Sequence, residues 1–545
     1  MVSSSSTSVN ACFHLGSANH SRRSRICVSQ ERVQLEKKPD YKTKLRIPKS
    51  VSISKDETIV PQPPLVAALE ASAKQNVATF HFPGHNRGRE APSSLSRLIG
   101  SRPFLHDLPE LPELGNLFSR EGPIWEAQKQ AAKLFGSLKT LFLVGGTTCG
   151  IQATIMATCS PGDILILPRN SHISAISAMV LSGAIPKYII PNYNEDWDIS
   201  YGVTPSQVEK VMMELELKGQ QAAAVFVTSP TYHGICGELC KISDLCHSYG
   251  IPLIVDEAHG AHFGFHSELP PSALEQGADL AVQSTHKVLS SLTQSSMLHL
   301  SGNLVDRDRI HRCLQTLQST SPSYLLLASL DAARAQLSES QDFVFNKAVE
   351  LANELRKSVQ EIPGISVLDF PSIIDPLRIT IGFWKLGLSG YDADEILSEV
   401  HGIVCELVEA KSMTFAINLG TCEEHVKRLV LGIKQLSEDS LQNQNLRKRT
   451  AIITDRKFVP FAESNMSLSP RDAFFTKKRR ASIDDCVGKV SGELICPYPP
   501  GIPVLVPGEI ITHSSLNYLL DARISGADIS GASDPLLSSI LICDL

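Results

Sequence analysis

The sequence predicts an α/β fold: a large domain with a mostly parallel sheet and helices on both faces, then a smaller α+β domain and a C-terminal domain. Three observations carry that expectation. Between about residues 101 and 340, short apolar runs rich in Val, Ile and Leu alternate with segments of helical apolar period, the mark of a parallel sheet. One run, Thr140-Leu-Phe-Leu-Val144, passes directly into Gly145-Gly-Thr-Thr-Cys-Gly150 and an apolar helical stretch. Two later runs end in residues that carry chemistry: Ile251-Pro-Leu-Ile-Val-Asp256 and Asp279-Leu-Ala-Val-Gln283, the second leading into Ser284-Thr-His-Lys287.

Taken in order, the chain opens on a segment unlike the rest. Met1 to Gln30 holds nine serines, Arg22, Arg23 and Arg25, and no acid precedes Glu31. A secretory signal needs an apolar core that is missing here. Serine- and arginine-rich, acid-poor composition predicts an organelle transit peptide over residues 1–44, for the plastid ahead of the mitochondrion; an unaddressed tail on a cytosolic protein is the alternative. Residues 45–100 read as an N-terminal arm, with an apolar-periodic helix from Pro64 to Asn76. Residues 101–345 form the expected large domain, with strands at 140–144, 163–167, 187–190, 223–227, 252–256, 279–283 and 297–300. Helices are expected between them, including 151–159, 204–217 and 241–249. Residues 346–445 read as the small α+β domain, with helices at 343–362 and 393–400. The polar stretch 442–448 is a linker, and residues 446–545 form the C-terminal domain. No internal repeat is visible.

Composition excludes several classes of function. The chain has 545 residues, 42% hydrophobic and 20% charged, which is ordinary globular usage. A net charge of −6 gives no basis for general nucleic-acid affinity, and no apolar run reaches the length of a membrane span. Thirteen cysteines without a Cys-x-x-Cys pair argue for a reducing compartment rather than a disulfide scaffold. Cys236, Cys240, Cys246 and His247 match no common zinc spacing, so no metal is expected. Lys477-Lys-Arg-Arg480 reads as a solvated loop rather than an import signal.

The order strand-Asp, then strand-Lys, is what a pyridoxal phosphate site needs. A lysine amine can condense with the cofactor aldehyde. An aspartate beside the pyridine nitrogen keeps it protonated, which makes the ring an electron sink. Lys287 and Asp256 are the residues expected in those roles. The Gly/Thr turn at residues 145–150 supplies amide N–H groups and hydroxyls at a helix start, an anion site for the phosphate. Thr147, Thr148, Ser284 and His286 are its expected ligands. Ala258 follows Asp256 by two and so points to the same side, beneath the ring. His259 would stand at the edge of the site. His172, in Pro168-Arg-Asn-Ser-His172, follows the carboxyl end of a strand, where such sheets bind ligands. The strand end Thr228–Thr231 would meet the ring hydroxyl.

Several segments resemble the Orn/Lys/Arg decarboxylases of the fold-type-I pyridoxal phosphate enzymes, over roughly residues 60–545. Phe82-Pro-Gly-His85-Asn-Arg-Gly88 resembles the family's Pro-Gly-His-Lys-Arg-Gly segment, with Asn86 in place of lysine. Leu111-Pro-Glu113-Leu and Glu121-Gly-Pro-Ile-Trp-Glu-Ala127 resemble its early acidic segment. Ser284-Thr-His-Lys287 with Gln294-Ser-Ser-Met297 resembles its lysine-attachment signature, and the proline-rich stretch from Pro497 to Glu509 its C-terminal signature.

The resemblance implies decarboxylation of arginine, lysine or ornithine to agmatine or a diamine, as in polyamine biosynthesis. It implies that His172 stacks on the cofactor ring, and that Glu509 and the loop before it form a lid. Lys287 and His259 are the expected sources of the proton that replaces CO₂. Glu113, Glu121 and Glu509, with Glu110, are the expected acids for the distal cation of the substrate. A homodimer or higher homo-oligomer is expected, with the Pro83-Gly-His85 turn and the acidic segment reaching a partner's site. The shorter, biosynthetic branch leans towards arginine or lysine. An aminotransferase or acyl-CoA-condensing synthase of the same fold is the alternative, since Asp256-Glu-Ala-His-Gly260 also resembles the synthases. A silent cofactor-binding protein is the third reading.

Overall fold

The computed structural model describes residues 62–339, 343–369, 373–442, 461, 465–498 and 501–545. The expected leader, the start of the arm and most of the expected linker lie outside the described residues. Seven strands build the central sheet: β1 (Lys139–Leu143), β2 (Ile164–Pro168), β3 (Ile185–Ile189), β6 (Ala222–Thr228), β7 (Leu253–Asp256), β8 (Leu280–Gln283) and β9 (Ser296–Leu300). Between β3 and β6 a small hairpin forms from β4 (Tyr193–Asn194) and β5 (Ile199–Ser200), which the sequence did not announce. The spatial order is β1-β9-β8-β7-β6-β2-β3. Strands β3, β2, β6, β7 and β8 are parallel, and β9 runs antiparallel between β8 and β1.

All the strands expected in this region are present, within a few residues of the expected bounds. Both faces of the sheet are buried. Along β2, Leu165 and Leu167 join one core while Ile166 joins the other; along β6, Phe226 and Val225 divide in the same way. A sheet covered twice needs apolar residues at successive positions, which is why these strands read as continuous apolar runs rather than alternating ones. Parallel strands also bring their carboxyl ends to one edge. That edge carries the residues after β2, β6, β7 and β8, where ligands bind in such sheets.

The helix expected from residue 151 starts instead at Gly146 and runs to Thr158. Thr147 and Thr148 therefore lie in its first turn, not in a preceding loop. This helix packs closely on the sheet: a Cβ at Gly150 would lie 2.5 Å from Val282 Cγ1 and 2.7 Å from Leu143 Cδ1. Glycine at 150 is what permits that approach.

The small domain is an antiparallel sheet of β10 (Ser366–Val367), β11 (Arg378–Gly382), β12 (Leu407–Val408) and β13 (Ser412–Ala416) in the order β10-β11-β13-β12. Its core includes Leu355 and Val359 of the helix Asn346–Gln360, and Leu429 and Ile433 of the helix Glu423–Gln442. The expected helix at 393–400 runs Gly390–His401, begun by a capping box of Ser389 and Asp392. The N-terminal helix Pro64–Ala73 joins the same core through Leu65 and Leu69, and Asp331 accepts from the Leu65 N–H at 2.8 Å.

The C-terminal region pairs β14 (Lys478–Ser482) with β17 (Ser539–Cys543), and β15 (Cys496–Tyr498) with β16 (Asp528–Ser530). The helix His513–Ile524 packs beside them. Lys478, Arg479 and Arg480 lie in β14, so the basic run expected as a loop is an edge of a two-stranded ladder. Among the described residues no helix is long and apolar enough to cross a membrane, and none of their His, Cys, Asp and Glu side chains group as metal ligands.

Candidate active site

A cavity of about 320 Å³ opens at the carboxyl edge of the central sheet. Each parallel strand delivers part of it. The turn after β8 brings Ser284, His286 and Lys287; the end of β7 brings Asp256, Ala258 and His259; the end of β6 brings Thr228; the loop after β2 brings His172; and the first turn of the helix Gly146–Thr158 brings Thr147 and Thr148. These residues are scattered over 140 positions of sequence and meet because parallel strands end together.

Lys287 Nζ lies 3.0 Å from His259 Nε2 and over the ring of Tyr232, 5.8 Å from its centroid. Burial lowers the Lys287 pKa, against the carboxylates of Asp256 and Glu406, which favour the ammonium. His259 is buried, with its ring centroid 4.7 Å from that of Tyr232. Burial, then the charges of Lys287 and Arg378, holds its pKa well below the ordinary histidine range. Arg378 Nη2 stands 3.3 Å from His259 Nδ1.

Asp256 is buried, 3% exposed, and accepts from the Ala258 N–H at 3.2 Å. Burial pushes its pKa up to about 6, against the attraction of Lys287. A carboxylate in this position gains from a cation placed in the cavity. Thr147 Oγ1 meets Ser284 Oγ and lies 3.1 Å from Ser296 Oγ, so a cluster of hydroxyls sits at the helix N-terminus. His286 Nδ1–H donates to Ser295 O at 2.8 Å, which turns its other ring nitrogen away from the backbone. His172 is the N-cap of the helix Ile173–Ser182: its Nδ1 accepts from the Ser174 N–H at 3.2 Å. That bond fixes the ring orientation. Burial, then Lys287, lowers the His172 pKa to about 4, so its ring is neutral.

The four glutamates expected to read the substrate do not line this cavity. Glu509 is paired with Arg169, which follows β2. Arg169 Nε donates to Oε1 at 2.8 Å and Nη2 to Oε2 at 2.6 Å, both side chains being buried. Glu509 thus anchors its own loop to the sheet, and it is that loop, through Pro497, Ile502 and Val504, that closes the cavity. Glu113 is exposed and accepts from Ser72 Oγ at 3.1 Å. Glu121 is exposed before the helix Pro123–Leu134, and Glu110 accepts from the side chain of Asn116 and the Leu117 N–H. The carboxylates that do face the cavity, beyond Asp256, are Asp198 after the short β4 turn and Glu409 after β12. Glu409 Oε2 lies 2.8 Å from His233 Nε2.

Sequence reasoning missed Tyr232, Arg378, Asp198 and Glu409. Tyr232 had a signal, since Thr231-Tyr-His-Gly234 follows a strand end. Arg378 and Glu409 belong to another domain and gave none.

With this geometry in place, comparison with known proteins gives a direct answer. Residues 63–386 match the model of the Orn/Lys/Arg decarboxylase major domain, and residues 453–532 match that of its C-terminal domain. The chain belongs to the Orn/Lys/Arg decarboxylase family. It is 37% identical to an arginine decarboxylase of Halalkalibacterium halodurans over 492 residues, 88% of this chain and 97% of that one. It is 34% identical to an arginine decarboxylase of Bacillus subtilis, again over 88% and 97% of the two chains. The solved structure of the constitutive lysine decarboxylase of E. coli superposes with a TM-score of 0.76 at 22% identity, covering 88% of this chain and 82% of that one, and so shares the fold. The protein is a decarboxylase, and the aminotransferase and synthase readings fall away.

Proposed function

We propose that this enzyme binds pyridoxal phosphate at Lys287 and decarboxylates a basic amino acid, arginine first, to agmatine as a precursor of polyamines. The observation that carries the reading is the meeting of the Lys287 amine with the buried Asp256 carboxylate in one cavity closed by the C-terminal loop. The residues present fit the cofactor. Thr228 Oγ1 is buried at the cavity wall without a hydrogen-bond partner among the described residues, as a ligand hydroxyl would require. Thr147, Thr148, Ser284 and His286 would hold the phosphate with the amides of the helix N-terminus. His172 and Ala258 would enclose the ring, and Asp256 would face its nitrogen.

When bound, pyridoxal phosphate supplies an aldehyde for the substrate amine and a ring that accepts the electron pair released with CO₂. The chain does the rest. The Lys287 amine would be the group that holds the cofactor aldehyde and yields it to the substrate amine. The Lys287–His259 pair holds the proton that replaces CO₂ on carbon. The Pro497–Glu509 loop excludes water. Asp198 and Glu409 supply negative charge for a cationic side chain, which favours a basic substrate, and the two arginine decarboxylases named above favour arginine among the three. Release of labelled CO₂ from carboxyl-labelled arginine, lysine and ornithine tests this. Agmatine formation at the highest kcat/KM is expected; faster release from lysine or ornithine would reassign the substrate. Absence of release from all three, with cofactor bound, would favour the silent reading.

The active unit is proposed to be a homodimer in which Glu121 reaches the partner's site. Hybrids of a Lys287→Ala chain and a Glu121→Gln chain should regain activity that neither parent has; freely exchanging hybrids that stay dead would refute it. Residues 1–44 are proposed to direct the chain to the plastid. A fluorescent fusion of residues 1–60 that stays in the cytosol would overturn that assignment.

A further inference from the structure

Arg378 stands behind His259, outside the wall of the cavity. It is the first residue of β11, in the small-domain sheet, and only 3% exposed. The turn that delivers it is fastened to the large domain. The Asp375 N–H donates to Gly234 O at 2.8 Å, and Asp375 pairs with His262 at 3.1 Å, both side chains fully buried. Gly234 has φ +84°, and a Cβ there would lie 2.8 Å from Arg378 Cβ and 3.0 Å from its Cγ. Position 234 thus leaves a passage through which the arginine of one domain reaches the histidine of the other.

A guanidinium has only donors. With Nη2 of Arg378 at 3.3 Å, His259 Nδ1 must be the acceptor. The single proton of the neutral ring then sits on Nε2, which faces Lys287 Nζ at 3.0 Å. An N–H in that position needs a lone pair opposite. A neutral amine offers one; an ammonium would set donor against donor.

We infer that Arg378 is a positioning residue that fixes His259 as the Nε2–H tautomer and, through it, holds the Lys287 amine neutral with its lone pair on His259. The surrounding charges are consistent with this. Arg378 opposes protonation of both His259 and Lys287, as burial does. Asp256 and Glu406 favour the Lys287 ammonium. The other titratable neighbours are His172, which burial keeps neutral, His233 in its pair with Glu409, His286 and Tyr232. Arg378 places a fixed cation behind the imidazole, at the nitrogen that decides the tautomer.

The inference rests on Lys287 being the amine that carries the cofactor, as proposed above. The test therefore uses the full chain freed of cofactor, where neither substrate nor turnover enters. ¹⁵N-histidine NMR reads the tautomer of His259, and the pH-dependent rate of Lys287 modification by trinitrobenzenesulfonate, quantified by peptide mass spectrometry, reads the amine. In the unaltered protein His259 Nδ1 is expected as the bare nitrogen. Arg378→Met should raise the midpoint of Lys287 modification by about one unit, slowing it about 10-fold near neutral pH. Arg378→Gln keeps an uncharged donor, so it should keep the tautomer and slow modification less.

A His259 Nδ1–H signal in the unaltered protein overturns the inference. So does an unchanged modification rate in Arg378→Met. Should Arg378→Met lose its fold by circular dichroism, the native tautomer and the Arg378→Gln rate decide. An arginine that instead bound the substrate carboxylate would leave both cofactor-free readouts unmoved and raise KM. If borohydride fixes the cofactor to another lysine while the tautomer stands, the proposed cofactor attachment fails and the positioning role survives.

Discussion

Removing the charge of Glu509 should undock the loop that closes the active site. Glu509→Gln preserves shape but leaves the Arg169 guanidinium buried without its carboxylate. Two hydrogen bonds, at 2.8 and 2.6 Å, lose their anionic acceptor. Arg169 would keep the carbonyls of Pro503 and Val504, at 2.6 and 3.0 Å, and its stacking near Tyr188 and Phe461. Breaking one side of a buried pair costs about 3–5 kcal/mol, and the surviving contacts argue for the lower end. About 3 kcal/mol shifts the docked-to-open ratio of the loop roughly 10²-fold. Hydrogen exchange by mass spectrometry should show faster exchange over residues 501–512 while the central strands keep their protection. The double variant Arg169→Met/Glu509→Leu, which buries no charge, should recover most of that protection. The reasoning is refuted if Glu509→Gln leaves exchange unchanged and raises KM alone. That result would make Glu509 the substrate ligand that the sequence suggested.

Three further outcomes are expected. Lys287→Ala should retain the fold by circular dichroism but fix no cofactor on borohydride reduction, with nearly all turnover lost; trapped cofactor on this variant would move the attachment site. Asp256→Asn should lower kcat by about 10²-fold or more, because a buried charged partner is lost where the structure is otherwise kept; wild-type kcat would remove Asp256 from its role. His299 is buried between Thr140 and Gln283, and burial lowers its pKa from 6.5 to about 3. Its folded-state pKa is depressed, so its contribution to stability is whole above pH 6.5 and declines as pH falls from there towards 3, by about 1.4 kcal/mol per pH unit. Urea midpoints from pH 6.5 to 4.5 should therefore fall less steeply in His299→Gln, and an identical slope would show that the histidine does not titrate in this way.

What was legible in the sequence follows from what each residue depends on. The strands were readable because burial on both faces demands apolar residues at consecutive positions, as at Leu253-Ile-Val255. Lys287, Asp256 and His172 were readable because each follows such a strand at its carboxyl end, so their convergence is set by topology. Glu509 was misplaced for the opposite reason. Its chemistry fits a substrate ligand, but its partner is Arg169, 340 positions away, and only packing of the C-terminal loop on the sheet reveals the pair. Arg378 and Glu409 come from the small domain, whose docking no local pattern records. The start of the helix at Gly146 was missed because Gly-Gly-Thr-Thr has the composition of a turn, while its backbone N–H groups serve as a helix N-terminus.

The dipeptide Asp256-Glu257 joins the site to the frame beneath it. Successive residues of a strand point to opposite faces. Asp256 faces the cavity, and Glu257 enters the interior, where it accepts from the Gln283 side chain at 2.8 Å and the Ala273 N–H at 2.7 Å. Gln283 continues to His299 at 2.9 Å, and His299 to Thr140 at 2.8 Å. One buried polar side chain from each of four neighbouring positions across β7, β8, β9 and β1 thus forms a line of hydrogen bonds. Burial pushes the Glu257 pKa up to about 8, so its proton is retained near neutral pH and no uncompensated charge enters the core. Such a line resists slippage of the strands, because any shift would strand a buried donor or acceptor. Asp256 is held in place by the residue next to it, and Lys287, four positions beyond Gln283, shares the same frame. The polar residues that prepare the chemistry and those that fix its geometry are neighbours in sequence on opposite faces of one sheet.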